Sequence, residues 1–288
     1  MAPEGILLVD KPSGMTSHDV VDAERRTRGT RKIGHAGTLD PMATGLLVLG
    51  VGRATRLLRY LGDLDKTYTG IARLGEETDT LDADGVVVRT AAVSASRADI
   101  ERACAERVGE HLQTPPAYSA VKVGGRKLYE AARTGEELVA PARGVRVDAF
   151  AVSAFDGRDV AFRVVCSGGT YVRVLVSDVG RSLRCGAHVF ALRRTAIGLL
   201  TVDDAHAPGE GALLPIERAV AHLPRVDLEP DEARAASNGS ILAPAGIDGP
   251  YGVYDAGGRL IGVYHDEAAK ARPEVVLATV GTARGGDV

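Results

Sequence analysis

The sequence predicts an α+β fold followed by a small β-barrel domain, from three observations. Strand-like and helix-like segments alternate over residues 1–222 without the repeated glycine-rich βαβ units of a nucleotide-binding fold. Near Leu223 and Pro224 the composition changes to short strands and turns. The length of 288 residues also exceeds one typical domain. We therefore predict a sheet flanked by helices over residues 1–222 and a small β-rich domain over residues 223–288.

Hydrophobic periodicity places the elements of the large domain. Apolar runs and period-two alternation predict strands at Gly5–Asp10, Leu46–Val51, Thr67–Leu74, Val145–Phe155 and Val160–Cys166. Helical spacing predicts helices at Ser17–Thr27, after Thr55, at Ser96–Val108 and at Tyr171–Leu183. Ser17 and Thr55 are the residue types that cap helix N-termini. The last two strands form a predicted hairpin around Asp156 and Gly157.

The small domain is predicted from short strands separated by turns. The segments are SNGSILAP, YGVYDAGGRLIGVYHD and EVVLATV, and the Gly257–Gly258 pair is typical of a hairpin turn. Their number and length suit a small barrel.

Charge is distributed unevenly along the chain. The net charge is −3, which argues against a protein that coats nucleic acid non-specifically. Residues 1–60 nevertheless carry nine Lys or Arg against six Asp or Glu. These cations group on both sides of residue 40: Arg25, Arg26, Arg28, Arg31 and Lys32 before it, and Arg53, Arg56 and Arg59 after it. They could form a solvated helix face or contact phosphates.

Cysteine usage and hydropathy favour a soluble cytoplasmic protein. The three cysteines, Cys104, Cys166 and Cys185, form no CxxC pair, so neither a disulfide framework nor a zinc site is predicted. The N-terminal segment lacks a signal pattern, and no apolar run reaches membrane-spanning length.

The segment GHAGTLDPMATG is the most informative part of the chain. It holds Asp40 between Gly37 and Gly45, and Pro41 biases Asp40 toward an extended backbone. The apolar run GLLVLGVG that follows indicates that the loop is attached to a buried strand. An isolated Asp-Pro pair would be interpreted as a turn. Here the surrounding glycines indicate a positioned carboxylate.

Five segments, in order, resemble the TruB-type tRNA pseudouridine synthases. They are GILLVDKPSGMTSHDVV, GHAGTLDPMATGLLVLGVGRATRL, DKTYTGIARLGEETDTLDADG, TPPAYSAVKVGGRKLYEAARTGE and SGGTYVRVLVSDVGRSLRCGAHVFALRRT. Together they span Gly5 to about Thr195. The resemblance implies a mixed, mainly antiparallel sheet. It also implies that the C-terminal domain is a PUA-like RNA-binding module.

The implied reaction isomerises uridine to pseudouridine. The bond from ribose C1′ to N1 of uracil breaks and C1′ joins C5, with no redox change or energy input, so no metal or other cofactor is expected. By resemblance Asp40 is the catalytic carboxylate, and Arg173 is the cation that keeps it ionised. On its own, Arg173 would be interpreted as a surface arginine near a helix N-terminus. The sequence leaves open whether Asp40 attacks C6, attacks C1′, or lets the base depart.

The target uridine lies in a folded RNA loop and must be extruded to be reached. By resemblance Tyr68 stacks on the flipped base and helps in proton removal, and Leu192 lines the base pocket. Tyr171 is a second predicted pocket residue, because it lies two residues before Arg173. His35 is matched to a residue that stacks with, or replaces, the flipped nucleotide; an isolated histidine is otherwise usually structural. Lys11 and Pro12 are implied to support the active-site loop.

The resemblance also implies partners. Residues 124–138 correspond to a mobile thumb that closes on RNA, although an ordinary exposed loop and helix is an equal alternative. The implied substrate is the T arm of tRNA, modified at position 55, by a monomer that needs no protein partner and no membrane. Two other interpretations stay open: an RNA-binding or tRNA-folding protein in which catalysis is secondary, and a guide-RNA-dependent enzyme. A phosphate-binding nucleotide loop is disfavoured, because GxxxxGK[ST] and GxGxxG spacings are missing.

Overall fold

A computed structural model describes residues 3–136 and 138–277. The helices are α1 Ser17–Arg28, α2 Arg59–Gly62, α3 Arg97–Ala105, α4 Leu128–Arg133, α5 Val172–Ser182 and α6 Pro230–Ser237, with 3₁₀ turns at Gly52–Leu57, Val202–Asp204 and Ile216–Ala219. The strands of the large domain are β1 Gly5–Lys11, β2 Ile33–His35, β3 Thr44–Val51, β4 Lys66–Leu74, β5 Glu76–Thr78, β6 Val87–Thr90, β7 Gly109–Gln113, β8 Lys122–Val123, β9 Arg126–Lys127, β10 Arg143–Phe155, β11 Asp159–Cys166, β12 Ala187–Ile197 and β13 Leu200–Thr201. The C-terminal strands are β14 Arg225–Asp227, β15 Pro250–Tyr254, β16 Leu260–Glu267 and β17 Lys270–Val276.

The large domain is built on one mainly antiparallel sheet, as predicted. Its strand order is β1-β3-β12-β4-β11-β10-β7, with β2 beside β3 and β13 beside β12. The contact between β3 and β12 is parallel and short, pairing Arg193 with Thr44 and Arg194 with Gly45. On its other side β12 pairs antiparallel with β4, which sets Arg194 opposite Tyr68. The centre of the sheet therefore brings together the end of the Asp40 loop and the strand that carries Tyr68.

The predicted strands of the large domain are all present, within one or two residues at each end. The hairpin of β10 and β11 around Asp156 and Gly157 is also confirmed. Helix α3 is shorter than predicted: it ends at Ala105, and Val108 is 44% exposed. The three buried residues of α3 are Ile100, Ala103 and Cys104, which match the predicted apolar stripe up to that point.

Two predicted helix caps are wrong. Thr16, not Ser17, caps α1, because its side chain accepts from the Asp19 N–H while Asp19 bonds back to the Thr16 N–H. Ser17 is instead the first helical residue, and its hydroxyl bonds to Leu39 in the Asp40 loop. Thr55 lies inside a 3₁₀ turn and donates to the Gly52 carbonyl, so it caps no helix.

The C-terminal domain contains a four-stranded sheet in the order β14-β15-β16-β17. The hairpin predicted at Gly257–Gly258 joins β15 to β16. Within residues 223–277 the first and last strands do not pair to close a barrel. The SNGSILAP segment is not a strand; it begins at the end of the unpredicted helix α6 and contributes one bridge between Leu242 and Ala271. The end of EVVLATV lies outside the described residues.

The C-terminal sheet shares a core with the large domain. One face contributes Tyr254, Leu260, Val263, Val275 and Leu277 to a cluster with buried residues of β1, β3 and the 3₁₀ turn after β3. The other face packs against α6 through Tyr251, Ile261 and Tyr264. Arg56 also donates to the Val276 carbonyl at 2.6 Å. Because the two domains bury apolar surface against each other, neither completes this core alone.

We expect removal of residues 224–288 to destabilise the large domain. Each large apolar side chain of the shared core contributes about 1.5–3 kcal/mol through burial, so losing several should lower the Tm by about 10 °C or more. Thermal unfolding followed by circular dichroism measures this. Removal of residues 279–288 alone is the matched control. A truncated protein that unfolds at the control's Tm would contradict a shared core.

All three cysteines are free and buried. Burial raises the pKa of the Cys166 thiol to about 11. Among the described residues the longest helix, α1, has 12 residues, well below the ~20 that a bilayer-spanning helix requires.

Candidate active site

The Asp40 loop is fixed on both sides of the carboxylate. On one side, the Ser17 hydroxyl bonds to the Leu39 N–H at 2.9 Å and the Leu39 carbonyl at 3.2 Å. On the other side, the Pro41 carbonyl accepts from the Lys11 ammonium at 3.1 Å and from the Gly14 N–H at 2.9 Å. The backbone on both sides of Asp40 is therefore fixed by the fold, which restricts where the carboxylate can lie.

Lys11 is fully buried and also donates to the carbonyls of Pro12 and Met15. Its contacts agree with the supporting role implied for Lys11 and Pro12. Burial lowers the pKa of Lys11 to about 8, and the negative charge of Asp40 opposes that shift.

The second anchor of the loop is Arg194, which the sequence did not reveal. Arg194 is 1% exposed and donates to the carbonyls of Leu46 at 2.8 Å and Gly37 at 3.1 Å. Gly45 has a φ of +98°, and a Cβ added there would lie 2.3 Å from the Arg194 carbonyl oxygen. Only glycine fits at this position, which explains one of the two glycines that bracket Asp40.

Arg173 contacts Asp40 directly, as predicted. Its Nε lies 2.8 Å from Oδ2 of Asp40, and its Nη2 donates to Oδ1 at 3.1 Å. The guanidinium also lies 3.3 Å from Asp82 and donates to the carbonyls of Thr80 and Tyr118. Arg173 is only 3% exposed, so the surface-arginine alternative is wrong. Its position in the first turn of α5 places it where the helix dipole also favours an anion.

A cavity of about 250 Å³ opens beside the Asp40–Arg173 pair. Tyr68, Tyr171 and Leu192 line it, so five of the six predicted site residues meet at one place. Tyr68 and Leu192 are 7% exposed, and the Arg143 guanidinium lies 4.8 Å from the centre of the Tyr171 ring. The side chain of the buried Gln113 holds the backbone of Tyr171 in turn: its Nε2 donates to the Tyr171 carbonyl and its Oε1 accepts from the Tyr171 N–H.

Two acidic groups that line the cavity, Asp40 and Tyr68, have shifted pKa values. Burial raises the pKa of Asp40 above its usual value, the Arg173 charge acts in the opposite direction, and Asp82 adds to the increase. About a third of the Asp40 side chain stays exposed. Burial also raises the pKa of Tyr68, while Arg194 beside it lowers it. Tyr68 is therefore a neutral phenol at pH 7.

His35 lies elsewhere, in a larger outer groove of about 840 Å³ on the other side of Asp40 and Arg173. Burial, followed by the charge of Arg194, lowers the pKa of His35, so its ring is neutral at pH 7. The Nδ1 atom is buried and makes no hydrogen bond within the described residues. This position borders the entrance of the site rather than the inner cavity.

The predicted thumb borders the same groove. Lys127, Tyr129 and Arg133 line it, and the preceding Gly124 and Gly125 have φ values of +59° and +86°. Leu128 of α4 is buried, so the helix is packed on the domain by one apolar face. Residue 137 of the predicted segment lies outside the described residues.

Two buried cations that line the inner cavity, Arg194 and Lys66, were not predicted as site residues from the sequence. Lys66 is 6% exposed and donates to the carbonyls of Gly62 and Leu64. Each lies on the same strand as a predicted site residue. A single sequence, however, does not show whether a lysine or arginine side chain points into a cavity.

The chain belongs to the TruB family of pseudouridylate synthases. The model for the N-terminal domain of this family matches residues 25–172, and the model for the C-terminal domain of tRNA pseudouridine synthase II matches residues 223–278. At the level of individual proteins, the chain is 45% identical over 288 residues to the tRNA pseudouridine synthase B of Mycolicibacterium paratuberculosis, covering 96% of this chain and 98% of the relative. It is 44% identical to the enzyme of the same name from Mycobacterium tuberculosis, covering 95% of both chains.

Solved structures confirm the pseudouridine-synthase-type fold. The chain is similar to one in the crystal structure of a Cbf5-Nop10-Gar1 complex, with a TM-score of 0.72 and 27% identity, covering 95% of this chain and 85% of that one. It is also similar to a chain in an H/ACA RNP bound to a substrate RNA containing 2′-deoxyuridine, with a TM-score of 0.71 and 26% identity, covering 96% of this chain and 85% of that one.

Proposed function

We propose that this protein converts one uridine of tRNA to pseudouridine, at position 55 of the T loop, without a metal, nucleotide or redox cofactor. The observation that carries the proposal is a fixed carboxylate, Asp40, which touches a buried arginine at the wall of a cavity of about 250 Å³. A cavity of this size, with aromatic and apolar walls, suits a single extruded base. The names of the relatives support tRNA as the RNA.

In the proposed reaction Asp40 is the catalytic carboxylate. The C1′–N1 bond breaks, a C1′–C5 bond forms, N1 gains a proton and C5 loses one, so atoms and electrons balance without a co-reactant. Arg173 counters the effect of burial on Asp40 and keeps the carboxylate ionised at neutral pH. The two contacts of Arg173 with Asp40 also hold the carboxylate in one orientation.

The other site residues bind the base. Tyr68 and Tyr171 supply aromatic surface for it, and Leu192 supplies apolar contact. Tyr68 can accept a proton only as a phenolate; burial raises its pKa and disfavours that form, while the adjacent Arg194 favours it. His35, in the outer groove, stacks on the neighbouring nucleotide or fills the space that the flipped one leaves.

We further propose a division of labour along the chain. Residues 1–222 catalyse, the thumb of residues 124–138 closes over the RNA, and residues 223–288 act as a PUA-like RNA-binding domain. We also propose that the protein acts in the cytoplasm as a monomer on free tRNA, without a guide RNA or protein partner.

Tritium release from tRNA labelled at uridine C5 tests the reaction. Forming the C5–C1′ bond replaces the C5–H bond, so we expect one tritium released per tRNA by the purified protein, with chelator present. The proposal fails if no tritium is released, or if release requires an added metal ion.

The inner cavity also has an excess of positive charge. Lys66, Arg143, Arg173 and Arg194 line it against a single carboxylate, Asp40. When the C1′–N1 bond breaks, negative charge develops on the departing base, and fixed cations in a dry site stabilise such charge strongly. We therefore assign to Lys66 a part in stabilising the departing base.

This assignment predicts an alkaline limb in the pH–rate profile. Burial lowers the pKa of Lys66 to about 8, and the charge of Arg194 acts in the same direction. The other groups that influence Lys66 are Cys166, Asp63 and Asp65. Because the lowered pKa means that the charged form is lost as pH rises through about 8, single-turnover rates should fall there. Lys66→Arg should remove this limb, and Lys66→Met should lower the rate at pH 7 by roughly tenfold or more.

Lys11 also titrates near pH 8 and is the alternative source of such a limb. An unchanged limb in Lys66→Arg, with normal folding, would assign it to Lys11 and contradict the role of Lys66.

A further inference from the structure

The basic residues around the Asp40 loop have separate uses in the structure. Those that follow the loop hold the C-terminal domain: Arg53 bonds to Glu4 and to the Leu277 carbonyl, and Arg59 bonds to Glu274 at 2.9 Å. They are therefore committed to the contact between the two domains.

Two of the basic residues that precede the loop are committed as well. Arg28 pairs with the fully buried Glu24 at 2.8 Å and donates to the Gly211 carbonyl. Arg25 pairs with Asp22 at 2.9 Å and donates to the Ile33 carbonyl. Basic residues in the last turn of a helix also complement its dipole, which accounts for part of this cluster.

The remaining cations, Arg26, Arg31 and Lys32, are exposed and form no ion pair within the described residues. Arg31 and Lys32 follow the end of α1, so the helix dipole does not explain them. Lys32 lowers the pKa of Glu4, but Glu4 itself pairs with Arg53. Most other exposed arginines of the chain, such as Arg97 and Arg102 on α3, pair with a neighbouring carboxylate.

Two of these residues, Arg26 and Arg31, line an open cavity of about 650 Å³ at the end of α1, here called the arginine cavity. It is lined by Asp22, Arg25, Arg26, Gly29, Thr30 and Arg31. Its one carboxylate, Asp22, is already bonded to Arg25. The Nε of Arg25 is buried and makes no hydrogen bond within the described residues. The cavity thus has two guanidinium groups without an ion-pair partner in the described part of the chain, those of Arg26 and Arg31, which suits a phosphate group.

The arginine cavity lies close to the outer groove. Helix α1 begins with Ser17 and His18 in the groove and ends at the cavity, and β2 starts after Lys32 and ends at His35, again in the groove. From Arg31 at the cavity to His35 in the groove, the chain spans at most ~13 Å at about 3.3 Å per residue. This distance corresponds to about four phosphates along one strand of a duplex.

We propose that the arginine cavity binds backbone phosphates of the substrate RNA, a few nucleotides from the one in the catalytic cavity. An RNA strand bound in the outer groove would extend onto the arginine cavity. An arginine without an ion-pair partner can bind a phosphate group through two donors. The inference rests on the proposed function only in taking tRNA as the RNA.

The test is Arg26→Ala/Arg31→Ala in the full chain, with unmodified tRNA transcript as the probe. We expect roughly tenfold weaker binding at physiological salt. We also expect the slope of log K against log salt to become shallower by about 2, one unit for each lost contact. The single-turnover rate at saturating protein should stay within twofold of wild type. Arg26→Lys/Arg31→Lys keeps both charges and should retain the salt dependence.

Arg97→Ala/Arg102→Ala is the matched control, because it removes the same charge from another exposed helix. Wild-type affinity and salt slope in Arg26→Ala/Arg31→Ala, or equal losses in the control, would overturn the proposal. Binding is measured without turnover, so the two proposals fail separately. Wild-type protein that binds tRNA through these arginines but makes no pseudouridine would contradict only the proposed function.

Discussion

Replacing Asp40 by Asn is expected to lower the single-turnover rate by at least ~10⁴-fold, equivalent to about 5.4 kcal/mol of barrier. Among the residues that the structure describes, the substitution removes the only carboxylate that lines the inner cavity, while the amide keeps its size. The loop is held by Ser17, Lys11 and Arg194 through backbone atoms, so its shape should persist. Affinity for tRNA should change by less than about threefold, since the remainder of the RNA surface is untouched.

Asp178→Asn is a suitable control, because Asp178 pairs with Arg181 at the far end of α5. Turnover of Asp40→Asn within tenfold of wild type, about 1.4 kcal/mol, would remove Asp40 from the catalytic role. The same variant separates catalysis from a tRNA-folding role, since folding assistance would survive the loss of one charge.

Arg173 variants are expected to have the second-largest effect. Lysine has one nitrogen and cannot reproduce the five contacts of the guanidinium with Asp40, Asp82 and two carbonyls, so Arg173→Lys should slow the single-turnover rate by about 10²- to 10³-fold. Arg173→Ala leaves two carboxylates facing each other without a cation. It should in addition destabilise the fold by about 3–5 kcal/mol.

The pH profile distinguishes this role from a purely structural one. Burial raises the pKa of Asp40, so its charged form is lost as pH falls through that raised value. A weaker cation at position 173 should move the acid limb of the rate to higher pH. Arg181→Lys, an exposed site on the same helix, should change neither rate nor limb. A wild-type acid limb and rate in Arg173→Lys would show that the ion pair has no function.

Much of the large domain was predictable because its strands are apolar runs with clear ends. Val145–Phe155 and Val160–Cys166 alternate on either side of an Asp-Gly turn, and that local pattern determines the hairpin. The Asp40–Arg173 contact joins residues 133 positions apart. It followed from the family resemblance, since no local pattern indicates such a distant partner.

The remaining features depend on tertiary contacts that local patterns do not encode. Ser17 and Thr16 are both good capping residues, and only the position of Leu39 shows that Ser17 serves the loop. From the sequence alone, Arg53 and Arg59 resemble phosphate-binding residues. The structure shows instead that both bond to the C-terminal sheet, at and just after β17. Likewise, the C-terminal segment predicts short strands, but the core it shares with the large domain is visible only when both are folded.

The most direct test of the account is to incubate the purified protein, alone and with chelator, with an unmodified tRNA transcript and to map pseudouridine at single-nucleotide resolution. The account predicts complete conversion of one T-loop uridine, at position 55, by the wild-type chain and none by Asp40→Asn. A transcript without pseudouridine, or one modified only outside the T loop, would contradict it.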